Sequence, residues 1–280
     1  MNNHLKPIRC GNYELKFDNT IIMGVLNVTP DSFSDGGLFF DHKKAIEHAK
    51  QMFKDGAQII DVGGESTRPG SLPISEKEEL NRVKPVIEKL LKEVNVPISI
   101  DTYKPRIAEE CLRLGAHMVN DVTGMTNKNI INIVKKYQVP AIAMHMKGKP
   151  KIMQKNPRYK DVVKEIKLFL KNRISAARKA GIKDIIIDPG IGFGKTTEHN
   201  LQILKRLNEF KELKCPILLG PSRKSFIGNI TGMTADERLE GTLAAVAIAV
   251  MNGANIVRVH DVKECKMAVQ VADAVRCVDG

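Results

Sequence analysis

Short apolar runs rich in Ile and Val recur along this chain with helix-length amphipathic segments between them, and that alternation constrains the fold more than any other feature. The runs are TIIMGVL, QIIDV, PISID, HMVND, PAIAMH, DIIID, PILLG and NIVRVH, eight in all. The segments between them, such as KKAIEHAKQMF, EELNRVKPVIEKLLKEV and HNLQILKRLNEF, carry apolar residues at helical spacing. Strand and helix in strict alternation imply parallel strands joined by right-handed crossovers. Eight such units in 280 residues predict an α/β chain folded as a single (β/α)8 TIM barrel over 1–280, with no second domain. A repeated joint supports the count: DGAQII, LGAHMV, AGIKDII and NGANIV each end a helix at Gly and enter a strand within a few residues. The opening IRCGNYELKF alternates loosely ahead of the first strand and predicts a short N-terminal β-hairpin closing the bottom of the barrel.

Each predicted strand finishes in polar residues: Asn27, Asp61, Asp101, Asn120 with Asp121, His145, Asp188, Ser222 with Arg223 and Lys224, and Arg258 with His260. In a barrel these carboxyl ends share one face, the face on which such enzymes do chemistry. Helix capping accounts for part of the pattern, and Thr102 and Asp261, which directly precede helical segments, read as plain caps.

Charge and composition narrow the field. The net charge of +12 would suit nucleic acid, but Lys and Arg are spread along the chain among Glu, and aromatics for base stacking make up 5% with no Trp. No nucleic-acid role is expected; a small anionic substrate needs only a few of those cations. The longest apolar run, TLAAVAIAVM, is far short of a bilayer span, and the N-terminal segment turns polar too often for a secretory signal. Five scattered cysteines without a C-x-x-C pair fit a reducing compartment. The expectation is a soluble, cytoplasmic protein with no membrane partner.

The motifs are mixed evidence. DPGIGFGKT ends as a phosphate-binding loop does, in Gly194-Lys195-Thr196, but Pro189 stands where that loop needs Gly. What remains is a flexible glycine loop after Asp188, whose carboxylate could accept from the N–H groups of a heterocycle or could simply brace a turn. GPSRKSFIG sets Ser222, Arg223, Lys224 and Ser225 at a helix start, which suits an anion or an ordinary cap. RVHDV alternates Arg258 and His260 on one strand face: a second anion site if that face is the barrel mouth, structural otherwise. DVGGESTRPGS precedes a helix starting near Ser75, with Glu78 completing a capping box, and is too rich in Gly, Pro and polar residues to be only a connector. A zinc hydrolase would need a His-x-His pair at an early strand end, and that strand ends in Asn27.

IMGVLNVTPDSFSDGG and DVGGESTRPG together resemble the two signature segments of the dihydropteroate synthase family. The similarity continues through ISIDTYKP, HMVNDVTG, AIAMHMKGKPKIMQ, IIIDPGIGFGKT, LLGPSRKSFIG, ERLEGTLAA and VRVHDV, in family order, over roughly residues 20 to 265. It departs in Pro221, before Ser-Arg-Lys-Ser, and in Ile191 of the glycine loop. The resemblance implies condensation of 7,8-dihydropterin-6-ylmethyl diphosphate with p-aminobenzoate, giving 7,8-dihydropteroate and diphosphate for folate biosynthesis, with Mg2+ as cofactor, a dissociative carbocation step and sensitivity to sulfonamides.

Carried over by motif, the resemblance assigns the pterin ring to Asp101, Asn120, Met144, Asp188, Phe193 and Lys224. It assigns diphosphate to Asn27, Arg68, Arg258 and His260, with Asn27 and Asp35 at the metal. It assigns p-aminobenzoate to Phe33, Thr67, Pro69, Phe193 and Ser225. Catalysis would then fall to Asn27, Asp101, Arg68, Lys224, Arg258 and His260. It also implies a homodimer, with the late helix GTLAAVAIAVMNG as the candidate interface. The stretch Thr29 to Gly37, with Asp31, Ser32, Phe33 and Asp35, reads as a mobile lid that closes over the substrates. A methyltetrahydrofolate-dependent methyltransferase shares the pterin-binding barrel but has no need of STRPG, SRKS or RVH, and a non-catalytic basic binding protein is the rival of another class.

Overall fold

The structure is a computed structural model and describes residues 5–29, 37–68, 70–148 and 150–278. It opens with an antiparallel hairpin of β1 (Ile8–Cys10) and β2 (Tyr13–Leu15), turning at Gly11. Eight parallel strands follow, each continued by a helix. The first four pairs are β3 (Ile21–Asn27) with α1 (Gly37–Asp55), β4 (Ile59–Gly63) with α2 (Glu76–Glu93), β5 (Ile98–Asp101) with α3 (Pro105–Leu114), and β6 (Met118–Asp121) with α4 (Lys128–Tyr137). Next come β7 (Ala141–Met144) with α5 (Val162–Lys179) and β8 (Ile185–Asp188) with α6 (Thr197–Lys205). The chain ends with β9 (Leu218–Leu219), α7 (Ser225–Thr231), α8 (Leu239–Met251), β10 (Ile256–Val259) and α9 (Val262–Cys277).

The strands pair in the order β8-β7-β6-β5-β4-β3-β10-β9. A lone parallel bridge between Ile187 and Ile217 brings β8 round to β9, where Ile187 N–H donates to Pro216 O at 2.9 Å. The barrel is therefore nearly closed, and its last pairing is its weakest. Pro216 has no N–H to offer, and the N–H of Ile217 goes to Asn255 Oδ1 at 2.9 Å.

Side chains alternate in and out along each strand. Outward residues such as Ile22, Ile60, Val62, Ile100, Val119, Ile187 and Val257 pack under the helices in the main core. Inward residues near the amino ends, Ile21, Met23, Ile59, Met118, Ile142, Ile186, Leu218 and Ile256, fill the barrel itself. Ile8, Cys10 and Leu15 of the hairpin join that second cluster, so the hairpin closes the bottom as expected. Two residues further along β4, β6, β8 and β10 the inward position turns polar, and on β3 it does so after Val25. The same period that packs the floor thus delivers Asn27, Asp61, Asp101, Asn120, Asp188 and Arg258 to the upper interior.

Helix boundaries follow local chemistry, with some corrections. Asp161 caps α5 by accepting from the N–H groups of Val163 and Lys164, and α3 starts at Pro105 and stops at left-handed Gly115. Ser75 caps α2 through Glu78 N–H, but the Glu78 carboxylate turns to Arg82 at 2.5 Å, so only half of the predicted capping box forms. Thr102 is not a helix cap: Lys104 holds the N-cap of α3, and Thr102 donates to Glu79 at 2.8 Å, while Asp261 does hold the N-cap position of α9 but turns its carboxylate to Arg223 and caps no N–H. Among the described residues no helix is long and apolar enough to cross a membrane.

Replacing Ile142, fully buried in the barrel floor, by Ala removes methyl groups that no neighbour can replace. The expected loss of stability is about 2–5 kcal/mol, read as a lower urea midpoint with an unchanged denaturant slope.

Candidate active site

The upper interior is organised around Arg258 on β10. Its Nε donates to Asp61 Oδ2 at 2.6 Å and its Nη2 to Asp101 Oδ2 at 2.7 Å, while Asn120 Nδ2 donates to the same Asp61 oxygen at 2.9 Å. Four strands are thus joined across the barrel by one guanidinium and one fully buried carboxylate. Asp61 was legible only as a polar strand end; its role as the group that orients Arg258 and Asn120 needed the register of β4 against its neighbours. Burial pushes the Asp101 carboxyl up, Arg258 pulls it back, and the charge of Asp61 adds to the rise. Two carboxylates share one cation here, and the remaining oxygens, Asp61 Oδ1 and Asp101 Oδ1, are buried without a partner among the described residues.

Across the barrel, Asp188 ends β8 and accepts from Gly190 N–H at 2.7 Å. Burial raises its pKa to about 6, against the pull of that N–H and of Lys224, Lys195 and Arg258. The glycine loop that follows, residues 189–195, is buried throughout; it is a packed turn where the sequence suggested a flexible loop. A Cβ on Gly190 would lie 1.9 Å from His145 O, and one on Gly194 would lie 2.2 Å from Lys147 O. Both glycines have positive φ, so close approach and backbone hand require glycine together. Ile191 is buried in the main core, so this departure from the family pattern is a packing choice.

Lys195 turns back into this loop, 2% exposed. Its Nζ lies 2.7 Å from Gly190 O, 2.9 Å from Phe193 O, 3.3 Å from His145 O and 3.1 Å from His145 Nδ1. Burial lowers its pKa to about 7. Burial, with the charge of Lys195 beside it, holds His145 neutral, its pKa lowered to about 2. His145 is therefore a partner of the loop and not a rim acid or base.

Met144, Val122, Met153 and Phe193 form a small apolar cluster of their own, with Tyr103 and Met146 packed against it. Lys224 sets its ammonium 4.1 Å from the centre of the Phe193 ring, and burial, then Arg258, lower its pKa to about 8. The turn before it is held by Lys224 N–H to Pro221 O at 3.3 Å, and α7 begins only at Ser225, whose side chain is exposed. Pro221 is thus accommodated before the helix.

Two expectations about cations change. Arg223 is tied to Asp261 at 3.0 and 2.6 Å, so of the adjacent pair only Lys224 serves the interior. His260 is uncharged: burial, with Arg258 next, drives its pKa down to about 3. Ser222 Oγ accepts the backbone N–H of His260 at 3.2 Å and lies 3.0 Å from His260 Nδ1. Ser222 thus fixes the His260 ring, whose neutral imidazole keeps one N–H to donate.

Thr67 and Arg68 follow Glu65, which anchors their loop. Glu65 accepts from Ile74 N–H at 2.9 Å, Tyr103 OH at 2.7 Å and Lys104 Nζ at 2.6 Å. Lys104 also donates to Glu79 at 2.7 Å, a buried ionic knot that the motif did not reveal. Arg68 is exposed, yet its charge acts on His260 and Lys224. Phe33, Asp35 and Pro69, and with them most of the suggested lid, lie outside the described residues.

For a divalent cation the donor set is oxygen. A Cβ on Gly63 would stand 3.7 Å from Asp101 Oδ2 and 3.9 Å from Asn27 Oδ1, so the two oxygens lie close to this glycine, Asp101 Oδ2 already accepting from Arg258. No cluster of three His, Cys, Asp or Glu among the described residues could hold a metal by itself. Such a place fits a hard cation that keeps water and shares phosphate oxygens, and does not fit zinc.

The described family of pterin binding enzymes matches residues 23–260. The dihydropteroate synthase of Clostridium beijerinckii is 47% identical over 262 residues, covering 92% of this chain and 95% of that protein. The Yersinia pestis dihydropteroate synthase, solved with a sulfonamide drug complex, superposes with a TM-score of 0.93 at 41% identity over 98% of this chain and 100% of that one. The Xanthomonas albilineans enzyme, solved with 7,8-dihydropteroate, gives a TM-score of 0.89 at 39% identity over 98% and 100%.

A buried lysine held near pKa 7 binds fewer protons folded than unfolded across the window from about 7 up to its ordinary value of 10.5. Its contribution to stability therefore rises with pH through that window. The urea midpoint of the wild type should climb more between pH 7 and pH 9 than that of Lys195→Met, and parallel curves would contradict the placement of this lysine.

Proposed function

This chain belongs to the dihydropteroate synthase family of pterin-binding enzymes, and from that premise we propose how its residues divide the work. The protein is a transferase that joins the dihydropterin methyl diphosphate to p-aminobenzoate and releases diphosphate. One observation supports the division below: the rim has two chemically different ends. One carries carboxylates and an amide beside an apolar wall, the other carries cations.

The pterin ring lies at the first end. Asp188 and Asn120 take its edge as acceptor and amide partner, Met144 and Phe193 cover its face, and Asp101 and Lys224 complete its contacts. Diphosphate lies at the second end, against Arg68, Arg258 and the neutral imidazole of His260, with Asn27 beside it. Thr67, Phe193 and Ser225, together with Phe33 and Pro69, shape the p-aminobenzoate side. Asn27, with Asp35, would hold Mg2+, which when bound supplies charge to the leaving diphosphate.

The reaction then proceeds by departure before attack. The C–O bond to diphosphate breaks with its electron pair leaving on oxygen, and the methylene cation is delocalised into the pterin. The neutral arylamine nitrogen attacks and afterwards loses its proton. Arg68, Arg258 and His260 stabilise the charge that grows on the leaving group, and Asp101 steadies the positive pterin.

Relatives at 46–47% identity over most of the chain are dihydropteroate synthases, which favours this reading over methyl transfer and over non-catalytic binding. A soluble cytoplasmic enzyme is the setting we propose. A homodimer is supported by an outward apolar stripe on the last helices: Ile248 and Met251 on α8, with Met267, Val271 and Val275 on α9, are all exposed.

Incubation with the pterin diphosphate, Mg2+ and labelled p-aminobenzoate should yield labelled dihydropteroate, and a well-folded protein that gives none would refute the assignment. Sulfonamide inhibition should weaken as p-aminobenzoate is raised. Asp61→Asn should lower kcat/KM on the order of a hundredfold, because Arg258 and Asn120 lose the group that aims them; wild-type kinetics in that variant would remove Asp61 from the site.

A further inference from the structure

We propose that Lys195 is a positioning residue for the pterin end of the site: its side-chain nitrogen ties the glycine loop to the exit of β7 and so fixes Asp188, Met144 and Phe193 relative to one another. The inference rests on the reading of that end as the pterin site and deepens it.

Three backbone carbonyls, Gly190 O, Phe193 O and His145 O, converge within 3.3 Å of one point, and the Lys195 nitrogen occupies it. Left-handed turns at Gly190, Gly192 and Gly194 rotate carbonyls away from strand and helix partners, and a buried carbonyl needs a donor from somewhere. A lysine brings two N–H groups when neutral and three when charged, on a flexible stem, which matches a pocket made of acceptors. Among the described residues Lys195 makes no ion pair, so its place is not explained by charge pairing.

The link to the reacting end runs through short contacts. Asp188 Oδ1 is oriented by Gly190 N–H at 2.7 Å, and the carbonyl of that same Gly190 is held by Lys195 at 2.7 Å. Phe193 is held by its carbonyl at 2.9 Å, while its ring supports the Lys224 ammonium. His145 follows Met144 directly and receives Lys195 on both its carbonyl and its ring. The outer edge of the loop has separate anchors: Gln154 donates to Gly192 O at 2.6 Å, Gly192 N–H donates to Asn200 at 2.8 Å, and Tyr159 donates to Gly194 O at 2.9 Å. Loss of Lys195 should therefore relax the inner edge without releasing the whole loop.

The test is equilibrium binding of two probes, a hydroxymethyl dihydropterin that lacks diphosphate, and inorganic diphosphate, to wild type, Lys195→Met and Lys195→Gln. Lys195→Met should bind the pterin on the order of ten- to a hundredfold more weakly while diphosphate affinity stays within about twofold of wild type, a change too small to mark a lost contact. Lys195→Gln, which keeps two N–H donors, should fall between. Equal losses for both probes would mean that Lys195 only supports the fold, and unchanged pterin affinity would mean that it positions nothing; either overturns the proposal. If Lys195→Met does not fold, the same comparison on Lys195→Gln decides. Asp188→Asn serves as the reference: should it keep wild-type pterin affinity, the assignment of the pterin end fails and this proposal with it, whereas a loss there beside an unaffected Lys195→Met defeats this proposal alone.

Discussion

One guanidinium holds the upper barrel together. Arg258 reaches Asp61 and Asp101 across the interior, and Asp61 in turn fixes Asn120. A charge cluster of this kind is expensive to bury, and removing one partner leaves the others uncompensated. It is tolerable because each member sits at the end of a strand whose lower half is packed with Ile, Met and Leu. The apolar floor supplies the stability, and the cluster supplies a fixed arrangement of donors and acceptors on which a polar ligand can register.

The same two-residue period serves both purposes. On β3 it runs Ile21, Met23, Val25, Asn27; on β10 it runs Ile256, Arg258, His260. A shift of one residue in register would turn every one of these side chains toward the helices, so packing of the floor and aiming of the rim are a single constraint. The strands need not be long, and most here hold four residues.

The sequence made the architecture legible because strand runs, helical spacing and Gly joints all agreed, and each of the eight expected strands is present. It also placed the polar residues at the correct ends. What it could not supply were partnerships across the barrel. Asp61 looked like any strand-end acid, because its partners lie far away in the chain. Arg223 looked equivalent to Lys224, and only the fold sets Asp261 against it. Lys195 was noticed for a phosphate motif it does not complete; its true partners are carbonyl oxygens, which every residue possesses and no sequence pattern marks. Glu78 met the capping rule by spacing, but Arg82 one turn later offered it a stronger partner.

The closing of the barrel has a thermodynamic meaning. Between β8 and β9 the hoop of strands is sewn by one bridge, from Ile187 to Ile217, and directly above that seam stand Asp188 on one side and Lys224 on the other. The Phe193 ring under the Lys224 ammonium is already a stitch across it. Any occupant that touches both sides adds another, so its binding energy is shared with the cohesion of the barrel wall. In this fold the weakest join of the container and the grip on its contents are one quantity.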